Sequence, residues 1–590
     1  MPEQQPPAHS GATPDGPRPR PRARTRFGYR LAAWRAGFGP RMQGLVWRPE
    51  PRFPGSTARG RQLLAGNFRI GGALVEAPGN TPWEIDAPND AFSDTLHSFD
   101  WLDDLAALPK AMGRDTAQDW LGAWLKRHGR GQGAVWTPDL AGRRQIRWIS
   151  QALFLMNGQD PIDTKAFHRA LARQALFLEA RWRQTSRGLP RFEALTGLIY
   201  SACTLIGMET LLAPALKGLA QECATEIDAQ GGIAPRNPEE LLEVFVLLTW
   251  VAQILTETGK RPDPAVDTAL MRIAPTLRAL RHADGSLVRA HGGGRGRTGR
   301  LVGALVQSGI RPSRLKGLAM GFARMASGGT TVIADAAPPM MGPKSVNAHA
   351  STLSFEMTAG MRPVVVSAGS GAAFGPNWRR AGRATVSHST LSLEGYSSSR
   401  LANKASDVPP ERQGFAEGPT DVALQVSEIA GGESLTLSHD GWRRSHGLVH
   451  LRSLTLEDRG SLLRGEDGLA ALDAGDRSRF ERVNRNLPPD RGLRFAVRFH
   501  IHPDVTAEID MGGAAVSLTL PNEEVWVFRH GGEAEMVLRP SVYFDAARLK
   551  PRATKQIVLM SRVTGYGAAV SWSFARPAAL LPAPDLPQMI

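Results

Sequence analysis

The chain of 590 residues is 42% hydrophobic and carries a formal net charge of +15, enough apolar content to fill more than one core and to exclude a wholly disordered or fibrous protein. Its two cysteines, Cys203 and Cys223, exclude a disulfide framework, and the absence of a CxxC pair argues against zinc-knuckle or thioredoxin-type chemistry. The charge is unevenly spread: residues 1–45 hold eight arginines against Glu3 and Asp15, a net +6 that leaves +9 for the rest.

In chain order, the stretch Pro17-Arg18-Pro19-Arg20-Pro21-Arg22-Ala23-Arg24 is proline-rich and self-repelling, so residues 1–45 read as an extended or disordered basic tail. Its charge suits nucleic acid, an anionic membrane surface, a polyanionic sugar or plain solvation. For the body, +9 favours an anionic ligand only mildly. Charges interrupt the run Phe27 to Arg35, so no secretory signal is visible. The longest apolar stretch, Val244 to Leu255, is broken by Gln253 and falls short of the ~20 residues that span a bilayer, so no transmembrane segment is expected.

From about residue 90 to 325 the hydrophobic period is helical, within an expected helical domain over 46–325. Predicted helices run over Leu96–Leu108, Thr116–His128, Arg143–Met156, a segment opened by Pro161 and Asp163, then Phe192–Met208, Leu211–Ile227 and Pro264–Arg281. The best punctuated one has Asn237 as N-cap, Pro238 at N1, Glu239 and Glu240 in the first turn and Gly259 as its stop. About eight helices joined by short loops indicate an α-hairpin array or an incomplete α/α toroid. Residues 326–575 change to a period of two: Leu493, Phe495, Val497, Phe499 and Ile501 alternate with polar residues, among them Arg498 and His500, with His502 following on the same face. Asp-Gly punctuation recurs, and a large antiparallel β-sandwich is expected, then a C-terminal tail over 576–590. The fold class is α+β multidomain, helical domain first.

Two stretches resemble the heparinase II/III family of polysaccharide lyases. Leu96-His97-Ser98-Phe99-Asp100-Trp101-Leu102-Asp103-Asp104-Leu105 is similar to the family's approach to its toroid. Asn347-Ala348-His349-Ala350-Ser351-Thr352-Leu353-Ser354-Phe355-Glu356, Val364 to Gly369 and Trp378 to Thr390 are similar to its His-x-His-Ala-Asp-x-Leu-Ser-Phe, Val-Asp-x-Gly and Arg-x-Thr-x-x-His-Asn-Thr pattern. His439-Asp440-Gly441-Trp442 and His446 to Arg452 also look like family strands, so the resemblance covers about residues 50 to 575. It implies a cleft between toroid and sandwich and β-elimination of uronic-acid polysaccharides: the carboxylate is neutralised, a base takes the C5 proton and an acid protonates the departing O4. It also implies a cell-envelope or periplasmic location, while the lack of a visible secretory signal leaves the cytoplasm open. The chain departs from the pattern at Asn347, which replaces the first histidine, and at Ser351 and Ser367, which replace acidic residues.

On that resemblance His349, Asn347 and Tyr396 are the candidate catalytic residues. Arg379, Arg380 and Arg383 are candidates for holding a sugar carboxylate or sulfate, with Arg236 and Asn237 facing the cleft from the helical side. His349 and His388 are the remaining candidate metal ligands; zinc normally takes three or four protein ligands, so the set is incomplete and no cofactor is expected. Two functions stay open: a lyase acting on a heparin-like acidic polysaccharide, or a non-catalytic polysaccharide-binding or envelope-assembly protein on a degenerate lyase scaffold. The partner is an anionic polysaccharide, not nucleic acid. Gly294-Arg295-Gly296-Arg297-Thr298-Gly299 matches G-x-G-x-x-G but lacks a preceding strand, so it reads as a basic loop rather than a dinucleotide site. Trp120 and Trp124, at i and i+4, read as a core face.

Overall fold

A computed structural model describes residues 23–577, apart from 41, 43, 53–54, 159–160, 262, 314, 316, 403–411, 430 and 486–491. Residues 1–22 of the expected basic tail and 578–590 of the expected C-terminal tail lie outside the described residues. The described residues of the expected N-terminal tail include ordered structure. Ala23–Arg35 is a helix whose Tyr29, Ala32 and Ala33 are buried, with the Tyr29 ring edge-on to Phe177 at 6.0 Å and its hydroxyl donating to the Gln184 carbonyl.

The helical half follows the sequence reading with shifted ends. Helices Lys110–His128, Pro138–Ser150, Pro161–Arg181, Leu189–Thr204, Leu212–Glu226, Pro238–Glu257 and Pro264–Ala279 carry it. Asn237 caps as expected: its Oδ1 accepts from the amides of Glu239 and Glu240. The expected continuous helix over 96–108 is broken into Asp90–His97 and Leu102–Ala106. Between them Phe99 takes φ 62 and wedges against Trp83, Trp101, Trp124 and Trp148. Burying that aromatic ring repays a backbone conformation costing about 1–2 kcal/mol. Trp120 and Trp124 lie in this core.

The second half holds two eight-stranded antiparallel sheets. One runs, in spatial order, Val422–Ile429, Gly432–Trp442, Leu448–Glu457, Leu462–Ala470, Gly567–Ala575, Val525–Gly531, Ala515–Thr519 and Thr506–Asp510. The other runs Glu535–Tyr543, Arg552–Val563, Leu493–Ile501, Arg362–Val366, Phe355–Ala359, Thr330–Asp335 and Phe322–Ser327, with Leu391–Leu393 also pairing Leu493–Ile501. Their apolar faces share one core that includes Phe355, Phe499, Trp526 and Trp572. The polar face of Leu493–Ile501 does not open to solvent at its end. His500 and His502 are buried, and the His500 ring bonds Ser541 Oγ and the Val386 carbonyl. Helices Pro376–Gly382 and Ala474–Asn484 interrupt the β region.

One buried network ties strands of the first sheet together. The Gly441 amide donates to His439 Nδ1 at 3.0 Å, which places the His439 proton on Nε2, facing His450 Nδ1 at 3.2 Å. His450 Nε2 therefore donates to Asp467 Oδ1 at 2.8 Å. Arg452 and Trp572 supply the remaining donors to the same carboxylate. Burial pushes Asp467 up, but Arg452 and His450 outweigh it and hold the carboxyl well below its usual range.

Candidate functional site

His349 and His388, singled out in the sequence, meet where a loop of the helical half, residues 282–291, enters the second half. His349 does not lie on a strand with Asn347, as the period of two suggested; strand Phe355–Ala359 begins six residues later. His349 is 2% exposed. Its amide donates to His291 Nδ1 at 3.2 Å, its ring lies 5.2 Å from that of His388, and its Nδ1 is buried with no hydrogen-bond partner. Burial, then His388, His291, Arg383 and Arg379, hold it well below the usual imidazole range, so the ring is neutral.

The arginines around it are spent on protein. Arg383 donates to the carbonyls of Ala348, Gln413 and Ser345, and burial, then Arg379 and Arg380, push it down to about 9. Arg379 bonds the Val346 carbonyl and Asn347 Oδ1. Arg236, at φ 55, donates to the carbonyls of Met320, Gly321, Ala337 and Pro338 and to Asp335. Arg236 thus fastens the helical half to the other half, while Asn237 is buried and caps its own helix, so neither lines an open groove. Arg380 alone of these arginines is exposed. Tyr396 is 55% exposed and sets its ring edge-on to His446 at 4.6 Å.

The sequence reading missed the anionic residues that organise the junction. Asp335 accepts from Arg236 and from Ser351 Oγ, and faces His291 Nε2 at 3.5 Å. Burial raises its pKa, but Arg236 and His291 outweigh burial and keep it well below the normal carboxylate range. Glu356 accepts from the amides of Arg289 and Ser367 and lies 3.4 Å from His282. The Arg289 guanidinium donates to the carbonyls of Ser367, Ala368 and Phe544. Neither acid carries a periodic signal, since each stands singly in its strand.

The metal set is not completed. His388 is fully buried, its Nδ1 3.2 Å from Ser367 Oγ, and burial, then His500 and His291, push it down to about 3. Ser367 stands where the resembled pattern has an aspartate, and a neutral hydroxyl supplies no anionic oxygen for zinc. Among the described residues no group of three His, Cys, Asp or Glu side chains could hold a metal ion. The residues present therefore do not fit a zinc site.

A separate cavity of about 290 Å3 lies wholly within the helical half, between Tyr29, His97, Asp139 and Gln184. Trp124 Nε1 donates to His97 Nδ1, which leaves the ring's hydrogen on Nε2. Burial, then His128 and Arg144, push His97 down to about 3.

Residues 310–573 match the family model described as heparinase II/III-like, C-terminal. The chain is similar to FtsZ-localized protein C of Caulobacter vibrioides, 32% identical over 545 residues, 91% of each chain. Among solved structures it is similar to heparinase III, with a TM-score of 0.65 and 12% identity over 93% of this chain and 89% of that one. A heparan sulfate lyase HepC mutant from Pedobacter heparinus gives a TM-score of 0.56 at 14% identity over 93% and 87%. At such identities these structures speak for the fold alone.

Proposed function

This chain belongs to the heparinase II/III-like family, and from that premise we propose that it is a non-catalytic member, an envelope-assembly protein that binds acidic polysaccharide on a lyase-like fold. The observation that carries this reading is the sealing of His349. A general base must come within about 2.6–3.2 Å of the proton it takes, and an imidazole this deep, ringed by arginines already bound to carbonyls, offers no such approach. Replacement of acidic pattern residues by Ser351 and Ser367 supports the same reading. The similarity to an FtsZ-localized protein adds a place of work, alongside FtsZ. Exposed arginines such as Arg380 supply the contact with the polyanion, at the surface instead of in a cleft.

The test is incubation with heparan sulfate, chondroitin sulfate and alginate, read both for binding and for the ultraviolet absorbance of the unsaturated uronate that elimination produces. Binding without an absorbance gain is expected. An absorbance gain that His349→Ala abolishes overturns the proposal in favour of a lyase. Co-sedimentation with FtsZ polymers tests the place of work separately, and failure to pellet removes that part alone.

A further inference from the structure

Arg498, on the polar face of strand Leu493–Ile501, belongs to neither the junction nor the core. On this strand Phe495, Val497, Phe499 and Ile501 enter the shared core, so Arg494, Ala496 and Arg498 point the other way. The two neighbouring strands alternate in the same sense. Ile557 and Leu559 of Arg552–Val563 are core residues, and Met536 and Leu538 of Glu535–Tyr543 pack against that core. Gln556, Val558, Met560 and Arg562, with Val537 and Arg539, therefore share the outer face. Register fixes the layout. Arg494 stands opposite Arg562, Ala496 opposite Met560 and Arg498 opposite Val558, while Val537 stands opposite Val558 and Arg539 opposite Gln556. Arginines thus stand at two levels of the face, Arg494 with Arg562 and Arg498 with Arg539, four residues or about 14 Å apart along Leu493–Ile501. Between the two levels lies an apolar strip of Ala496, Met560, Val558 and Val537.

The two levels differ in how their cations are satisfied. Arg494 pairs with Glu394, both of them exposed, and a surface pair of this kind is weak and exchangeable. Arg562 has contacts of its own, and the exposed Glu535 stands opposite Met560. At the other level, among the described residues, no carboxylate pairs with Arg498 or Arg539. Arg498 Nη1 donates to Gln556 Oε1 at a long 3.4 Å, and its Nε is buried with no hydrogen-bond partner. Arg539 is exposed, and its Nη2 reaches the Met560 sulfur at 3.4 Å, a weak acceptor. Thr390, whose carbonyl accepts from the Arg498 amide, is 1% exposed, and its hydroxyl is unpartnered too. Burial, then Arg539, lower the pKa of Arg498, as expected of two cations that flank Gln556 and repel each other. Buried donors are normally satisfied, and like charges side by side on a sheet face destabilise it.

We propose that this outer face is where the acidic polysaccharide lies, with one sulfate or carboxylate group held between Arg498 and Arg539 and the sugar rings over the apolar strip towards Arg494 and Arg562. The inference rests on the polysaccharide-binding reading above and gives it a location. Guanidinium groups hold the oxygens of carboxylate and sulfate through paired donors, and an extended, repeating polyanion reaches both levels at once. Single-stranded nucleic acid takes aromatic rings for its bases to stack on, and the strip of Ala496, Met560, Val558 and Val537 offers none.

The test titrates the full chain with octasaccharides of heparan sulfate and of alginate, by calorimetry at several salt concentrations. Arg498→Gln/Arg539→Gln is expected to fold with unchanged circular dichroism, to weaken binding about tenfold or more, and to make log Kd less steep in log salt by about 1 to 2, one counterion for each cation removed. Arg61→Gln/Arg272→Gln removes the same charge from exposed positions of the helical half and should change Kd by less than about twofold, because salt screens charges this far from the site. In the unaltered chain, labelling of Arg539 by an arginine-directed dicarbonyl is expected to fall when the octasaccharide is bound. If the unaltered chain binds neither octasaccharide, the polysaccharide reading and this location fall together. If it binds and Arg498→Gln/Arg539→Gln binds equally well, or both double variants lose affinity alike, the location falls and the reading stands. Should Arg498→Gln fail to fold, Arg539→Gln alone and the labelling decide, and an unchanged Kd or unchanged labelling overturns the location.

Discussion

The junction between the halves and the interior of the helical half are built from the same residue types, buried arginines against buried carboxylates, and differ in how completely those groups are satisfied. At the junction Arg236, Arg289 and Arg383 spend their donors on main-chain carbonyls and on Asp335, and the histidines between them are sealed and neutral. In the helical interior Arg143 retains an unspent nitrogen and Arg297 lacks a carboxylate of its own. Arginines whose donors are used internally fix two bodies together; one with a donor left over keeps it available to something from solution. Arginines near a family motif therefore indicate ligand binding only where their hydrogen bonds have not been used internally.

The largest expected effect breaks the junction. Asp335→Ala leaves Arg236 buried without its counter-charge and should lower unfolding free energy by about 3–5 kcal/mol in urea titrations. Arg297→Gln should change it by less than about 1 kcal/mol, and equal losses would erase the contrast between the clusters. Next, Arg383→Ala orphans three buried carbonyls and should cost about 1–3 kcal/mol by the same measurement.

Acid sharpens the contrast, because the junction holds histidines and the interior cluster holds none. His349 and His388 have pKa values lowered on folding, so the unfolded chain binds more protons as pH falls. Their contribution is fully present above the unfolded value near 6.5 and is lost as pH falls below it. Stability should drop by about 1 kcal/mol for each of them between pH 6.5 and 5.5, and His388→Gln should flatten that slope in urea midpoints measured at both pH values. The smallest effect belongs to the surface: Arg380→Ala should stay within about 0.5 kcal/mol of the unaltered protein while weakening retention on a heparan sulfate column.

Periodicity made the architecture legible, since an apolar face at helical spacing or at spacing two needs only local sequence. The cap at Asn237 was legible for the same reason. The break at Phe99 was not, because its left-handed backbone is held by tryptophans that are distant in sequence. Motif positions singled out His349 and His388, whose rings lie 5.2 Å apart, but burial depends on which loop covers them, and His291 from the helical half does so. Asp335 and Glu356 escaped notice because a single acidic residue in an apolar strand carries no periodic signal; its partners, Arg236 and Arg289, lie about a hundred and about seventy residues away.

The claim that His349 is sealed and neutral is tested most directly by deuterium exchange at the imidazole C2 position, read peptide by peptide by mass spectrometry across pH. The account predicts exchange at His349 at least an order of magnitude slower than in the urea-unfolded chain, with no midpoint near pH 6.5. Fast exchange with a midpoint at that pH would show an imidazole open to solvent and able to take a proton, and would contradict the non-catalytic reading.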